Sequence, residues 1–173
     1  MNNEPMMHFS NESDPTEALR AAFRRHASGV AVITTTDTDG NPVGFTATSM
    51  TSLGANPPLS TFNVARGASS WPAISAASYV AIHTLGARNH ALAQRMAADH
   101  TLRFTPDDWS TGPKGVPILH EATAVLIGRV REIHFVESNA IVVVDILEGL
   151  LGEPDDSLLY SQRAYYTPGN KLE

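Results

Sequence analysis

Residues 43–71 read VGFTATSMTSLGANPPLSTFNVARGASSW, and the rest of the chain is organised around them. The pattern is strand, turn, strand, then a loop running into a helix. Thr46, Ala47, Thr48 and Ser49, followed by Thr51 and Ser52, are small and mostly hydroxylated, interleaved with Phe45, Met50 and Leu53. A strand of this kind can lie flat under a planar ligand and offer hydroxyls and backbone groups to its edge. Gly44, just before it, leaves the backbone open to close approach. Arg66, Ser69 and Ser70 then precede Trp71-Pro72. Serine is a favoured helix cap, proline is accepted in a first helical turn, and free amides beside an arginine attract an anion. A ring on the strand and a phosphate at the helix start fit a flavin mononucleotide. The same residues also suit an ordinary hairpin followed by a serine-capped helix, and residue types alone leave both readings standing.

Upstream, Asp14-Pro15-Thr16-Glu17 predicts a helix start, with Asp14 as cap, Pro15 in the first turn and Glu17 at the capping-box position. Leu19, Ala22, Phe23 and His26 fall on one face, Arg20, Arg24 and Arg25 on a solvated one, and Ser28-Gly29 marks the end. Residues 1–13 are expected to form a loose tail, leaving 14–173 as the domain. Val30–Thr36 reads as a strand, residues 37–41 as a turn, and Pro42–Met50 as the returning strand. Asn56-Pro57-Pro58 demands an extended turn. It leads to a strand over 59–64, where Asn63, Val64 and Ala65 would run beside the ring or its side chain.

Downstream, Tyr79–Leu85 is strand-like and carries His83, which suits a pocket, an interface or a half-buried strand position equally. Asn89 is placed to cap a helix. Residues 99–115 make an irregular stretch longer than usual connections, as a lid or a subunit contact would. Ala122–Ile133 and Ala140–Leu150 predict two long strands, the second apolar enough at its start to be buried on both faces. Leu158–Tyr160 and Ala164–Tyr166 predict a closing hairpin. Short strands with few helices describe a mainly β barrel with peripheral helices.

A chain of 173 residues fits one domain, and its lack of cysteine excludes disulfides, thiol relays and cysteine–zinc sites. No apolar run has transmembrane length, the N-terminus has no secretory pattern, and a cytoplasmic, membrane-free setting is expected. A formal net charge of −6 argues against nucleic acid as the main partner. There is no P-loop, no GxGxxG after a strand and no GxSxG elbow. His83, His90, His100 and His120 lack metal-ligand spacing, so no metal is expected. No acid–base constellation stands out, so no catalytic side chain is assigned. A flavin would explain that absence, because the cofactor carries the hydride.

Several ordered blocks, spanning roughly residues 17–167, carry a resemblance. Gly44–Val64, GFTATSMTSLGANPPLSTFNV, is similar to the signature of the flavin reductase-like family. Phe23–Thr34 resembles that family's first helix and strand, Ser70–Ile74 its phosphate-loop helix, Tyr79–Leu85 its next strand, and Asn89–Ala97 with Arg103-Phe104 its later helix and loop. The resemblance implies an FMN-binding split β-barrel of Greek-key type and a homodimer. It also implies bound FMN or FAD, NADH or NADPH as hydride donor, and delivery of reduced flavin to a partner monooxygenase. It places the flavin against Thr46–Ser49, Ser52-Leu53, Asn63–Ala65, Arg66 and Ser69-Ser70, and the nicotinamide nucleotide near Asn139 and Tyr166. The family's Gly-Asp-His is replaced here by Glu137-Ser138-Asn139, and its middle asparagine by Thr48. Asn139 still donates and accepts hydrogen bonds but cannot become a cation. A flavin-binding carrier or partner protein with little reductase activity is the alternative these replacements raise.

Overall fold

The structure, a computed structural model, describes residues 12–172. Residues 1–11 of the expected tail lie outside the described residues. Helix α1 (Pro15–Arg25) begins at Asp14, whose carboxylate accepts from Thr16 N at 2.8 Å. The capping box does not form, because Glu17 turns outward to pair with Arg20 at 2.6 Å. Ser28-Gly29, expected as the helix end, is instead a short strand, β1 (Ser28–Gly29). The helix has already ended at His26.

The body is a seven-stranded sheet in the order β3-β2-β6-β9-β10-β5-β4, every neighbouring pair antiparallel. Its strands are β2 (Ala31–Thr36), β3 (Pro42–Ala47), β4 (Thr51–Ala55), β5 (Pro58–Ala65), β6 (Tyr79–Thr84), β9 (Ala124–Val136) and β10 (Asn139–Leu151). The two edge strands, β3 and β4, are consecutive in the chain and joined by residues 48–50 alone. Four Cα–Cα steps reach at most about 14 Å. A seven-stranded sheet with edges tied so closely must curl round on itself, so the mainly β, barrel-like architecture expected from the sequence is present. Helix α2 (Trp71–Ala76) crosses between β5 and β6, and α3 (His90–Ala97) follows β6. A second, two-stranded sheet pairs β7 (Trp109–Thr111) with β8 (Pro117–Leu119). A third joins β1 to the predicted closing hairpin, β11 (Leu159–Ser161) and β12 (Ala164–Tyr166).

Two apolar cores result from the sheet burying both faces of its central strands. One core, inside the curl, contains Ile33, Phe62, Val64, Ile82, Val142 and Val144, closed by Ile74 of α2. The other lies outside, where Val32, Ala81, Val125 and Ile127 meet Leu92, Ala93 and Met96 of α3, with Val116 and Leu119 beside them. Alternation decides which core a residue joins: Val32 and Ile33 are neighbours in β2 and serve opposite faces.

Other expectations are corrected here. β10 is not buried on both faces at its start: Ala140, Val142 and Val144 are buried while Ile141 is 39% exposed. Residues 99–115, expected as a lid or a subunit contact, are tied down over part of their length. Phe104 and Trp109 stack edge to face at 5.5 Å against the outer core, and Arg95 pairs with Asp108. Asn89 precedes α3 but does not cap it. Its side chain accepts from Gly86 N at 2.8 Å and donates to Glu121 O at 2.9 Å. His83 is not half-buried but fully buried. It bonds Val32 O through Nδ1 and accepts Leu119 N at Nε2, both at 3.1 Å, so it is the neutral Nδ1–H tautomer tying β6 to β2 and β8.

Candidate functional site

The seam where the sheet's edges meet is held by one hydroxyl. Ser49 Oγ accepts from Asn63 N at 2.9 Å and donates to Asn63 O at 3.3 Å, so the link between β3 and β4 is stitched to β5. Beside the stitch lies a cavity of about 280 Å³. Thr46, Ala47, Thr48 and Ser49 form one wall, Asn63, Val64 and Ala65 a second, and Ser69, Ser70 and Arg103 an end. Three separated segments therefore converge as the sequence pattern requires. The hydroxyls do not all face the cavity, however: Thr46 Oγ1 donates to Ala93 O at 2.7 Å and anchors α3.

Ser70 is the exceptional group. It precedes α2, is 1% exposed, and makes no side-chain cap; its Oγ is buried without a hydrogen-bond partner. Such a group costs roughly 1–3 kcal/mol in a closed protein.

Arg103 was not among the expected contacts. It arrives from the loop after α3, held by Nη1 to Gly44 O at 2.7 Å, and by Nε and Nη2 to Ala98 O at 3.2 and 2.8 Å. The signal lay in Gly44. A Cβ there would stand 3.0 Å from Phe104 Cζ and 3.1 Å from Ile33 O. The glycine therefore admits Phe104, and with it Arg103, rather than the ligand itself.

Other expected residues sit elsewhere. Ser52 and Leu53 are exposed on β4, outside this cavity. Arg66 lies over the Phe135 ring at 5.1 Å and donates to Glu137 O at 3.0 Å, bracing the β9–β10 turn. Asn139, the first residue of β10 after that turn, pairs in register with Ala65, and Tyr166 is exposed on β12; neither lines this cavity. Trp71 meets Phe135 edge to face at 6.0 Å and packs on the inner core, so it pins α2 to β9.

Residues 23–169 match the family described as "Flavin reductase like domain". The chain belongs to the flavin reductase-like family. An NADH:FMN oxidoreductase of Rhodococcus erythropolis is 38% identical over 154 residues, covering 86% of this chain and 80% of that one. An NADH:riboflavin 5'-phosphate oxidoreductase of Streptomyces pristinaespiralis is 31% identical, covering 88% of both. Among solved structures, a flavin reductase domain protein from Arthrobacter sp. FB24 superposes with a TM-score of 0.87 at 45% identity, covering 91% of this chain and 98% of that one. The curled sheet is thus the fold of a flavin reductase-like protein. Among the described residues no helix is long and apolar enough to cross a membrane, and no cluster of three or more potential metal ligands occurs.

Proposed function

We propose that this chain is an NADH-dependent FMN reductase whose flavin lies in the seam cavity. The observation that carries the assignment is that the buried, unpartnered Ser70 hydroxyl and Arg103 line one cavity, whose other walls are mostly small residues with Phe45 among them. An anionic tail fits that end, because it takes a hydrogen bond from Ser70 and faces a guanidinium already oriented by three hydrogen bonds. Ala47, Thr48, Val64 and Ala65 leave a flat slot, and the exposed Thr48 and Asn63 lie where polar groups can meet a ring edge. When bound, the flavin supplies the hydride-accepting ring. The protein orients it, and donors along its edge stabilise the charge that arrives with the hydride. The Rhodococcus and Streptomyces relatives, named for NADH and FMN, support that pair over FAD or NADPH.

The finer reading adds a homodimer that hands reduced flavin to a monooxygenase partner. Exposed Leu147, Leu150 and Leu151, on the end of β10 that runs beyond β5, support a second copy as neighbour. The experiment is a titration of FMN and riboflavin by fluorescence quenching, followed by NADH oxidation with each flavin. Saturable FMN uptake, about tenfold weaker for riboflavin, is expected from one charge-assisted phosphate contact. Equal affinities would remove the phosphate end from Ser70 and Arg103. FMN uptake without NADH oxidation above the free-solution rate would leave the flavin-carrier alternative.

A further inference from the structure

The loop that brings Arg103 to the seam cavity is fastened from behind by a side chain the cavity does not touch. Arg95 stands in the last turn of α3. Its Nε donates to Arg103 O at 3.0 Å, and its Nη2 donates to the Asp108 carboxylate. A guanidinium holds its donors in a rigid fork, so one side chain sets both partners at once. Asp108 is itself anchored, because its main-chain oxygen accepts from His120 N at 3.0 Å, just past the end of β8. A line of contacts therefore runs from β8 through Asp108 and Arg95 to the main chain of residue 103.

Arg103 is held from the other side as well. Its guanidinium reaches back to Ala98 O through Nε and Nη2, and across to Gly44 O of β3 through Nη1. Between the two arginines, Asp99 Oδ1 accepts from Thr101 N at 2.9 Å and tightens the turn. Backbone and side chain of residue 103 are thus fixed by different partners, and Arg95 alone among the side chains holds the backbone end. A shift of about an ångström there would carry the guanidinium off its aim, enough to lose an oriented contact.

Stability does not explain the pair. Asp108 gives Oδ2 to Arg95, while its Oδ1 is buried with no partner among the described residues. A half-buried ion pair with one carboxylate oxygen left dry adds little, because lost hydration cancels much of the attraction. Direct ligand contact does not explain it either. Neither residue lines the seam cavity, nor a larger cleft of about 790 Å³ beside it that shares Thr48, Ser49 and Asn63. What the pair does hold is the backbone of a residue that lines the cavity.

We propose that Arg95, held by Asp108, is a positioning residue for Arg103 and fixes the guanidinium where it meets an anionic group at the end of the seam cavity. The identity of that group, the FMN phosphate, rests on the flavin reading. Arg95 acts only through Arg103.

The test measures FMN and riboflavin affinities by fluorescence quenching in the wild type, Arg95→Gln, Arg103→Gln and the double variant. Arg95→Gln is expected to weaken FMN about fivefold and leave riboflavin unchanged. In the Arg103→Gln background the same substitution is expected to cost nothing further, because the side chain it acts through is gone. A merely structural role would weaken both flavins alike, and by the same factor in either background. Equal loss of both flavins, an added loss of FMN in the Arg103→Gln background, or unchanged FMN affinity overturns the proposal. Asp108→Asn keeps the shape and removes the charge. It is expected to show the same pattern with a smaller loss, and it decides the matter if Arg95→Gln does not fold. A wild type that takes up no FMN removes the flavin reading and this proposal with it, whereas a wild type that binds FMN while the variants lose both flavins alike removes this proposal alone.

Discussion

A buried hydroxyl without a partner weakens the ligand-free protein, and Ser70 is such a group. Replacing it with alanine is expected to raise ligand-free stability by about 1 kcal/mol, since the desolvated hydroxyl disappears. The same change should weaken FMN roughly tenfold and riboflavin little. Thermal unfolding with and without FMN separates the two effects; destabilisation of the ligand-free form would mean the hydroxyl is satisfied there. His83 gives a pH dependence. Burial pushes its pKa down from 6.5 to about 4, against a smaller opposing effect of the Val32 carbonyl. The unfolded chain therefore takes up this proton first. The stability His83 provides is complete above pH 6.5 and is lost as pH falls from there through about 4. The loss is on the order of 3 kcal/mol. Denaturant midpoints at pH 7 and 4.5, compared between wild type and His83→Gln, check this, because the carboxylates common to both cancel. Equal losses in the two proteins would free His83 of the role.

Strands and their ends behave less locally. Gly44 shows how one element depends on another: it leaves room for Phe104, and the loop thus seated presents Arg103 to the cavity. Gly44→Val should cost about 1–3 kcal/mol through overpacking. It should also weaken FMN more than riboflavin, although residue 44 does not line the cavity; the quenching titration reads the ratio. Arg163 has φ of 63°, and Arg163→Gly should raise stability by about 1 kcal/mol through relief of that conformation, read from denaturant midpoints; a loss would deny that the arginine is held at a cost. The strands were largely readable from β-branched runs and turn residues, and the hydroxyl strand with its serine loop was readable as one end of a site. Arg103 was not, since a residue's distance from a pocket across a barrel is fixed by packing and not by spacing. Arg66 illustrates the converse. It stands next to the serine loop in sequence, yet an aromatic ring and a carbonyl on the neighbouring hairpin draw it away. Asn139 is a contact by position in the resemblance, but in this structure it begins β10, outside both cavities.

The molecule as a whole carries a net negative charge, while Arg20, Arg24 and Arg163 gather along one cleft beside the seam, where they favour an anion. Ionic strength should accordingly raise the KM for NADH while barely moving the limiting rate, and steady-state assays from low to physiological salt check this. A KM indifferent to salt would place the donor away from the arginines. The seam has a further consequence. β4 is an outermost strand, exposed along its whole length and bonded only to β5, and its tether to β3 runs past the cavity. A molecule lodged there touches β3, the tether and β5 at once, so it joins one margin of the sheet to the strand beside the other and works as a clasp. Amide protons of residues 48–55 should then trade with solvent readily in the empty protein and slowly once the clasp is shut, which makes the cofactor a structural rivet as well as a reagent.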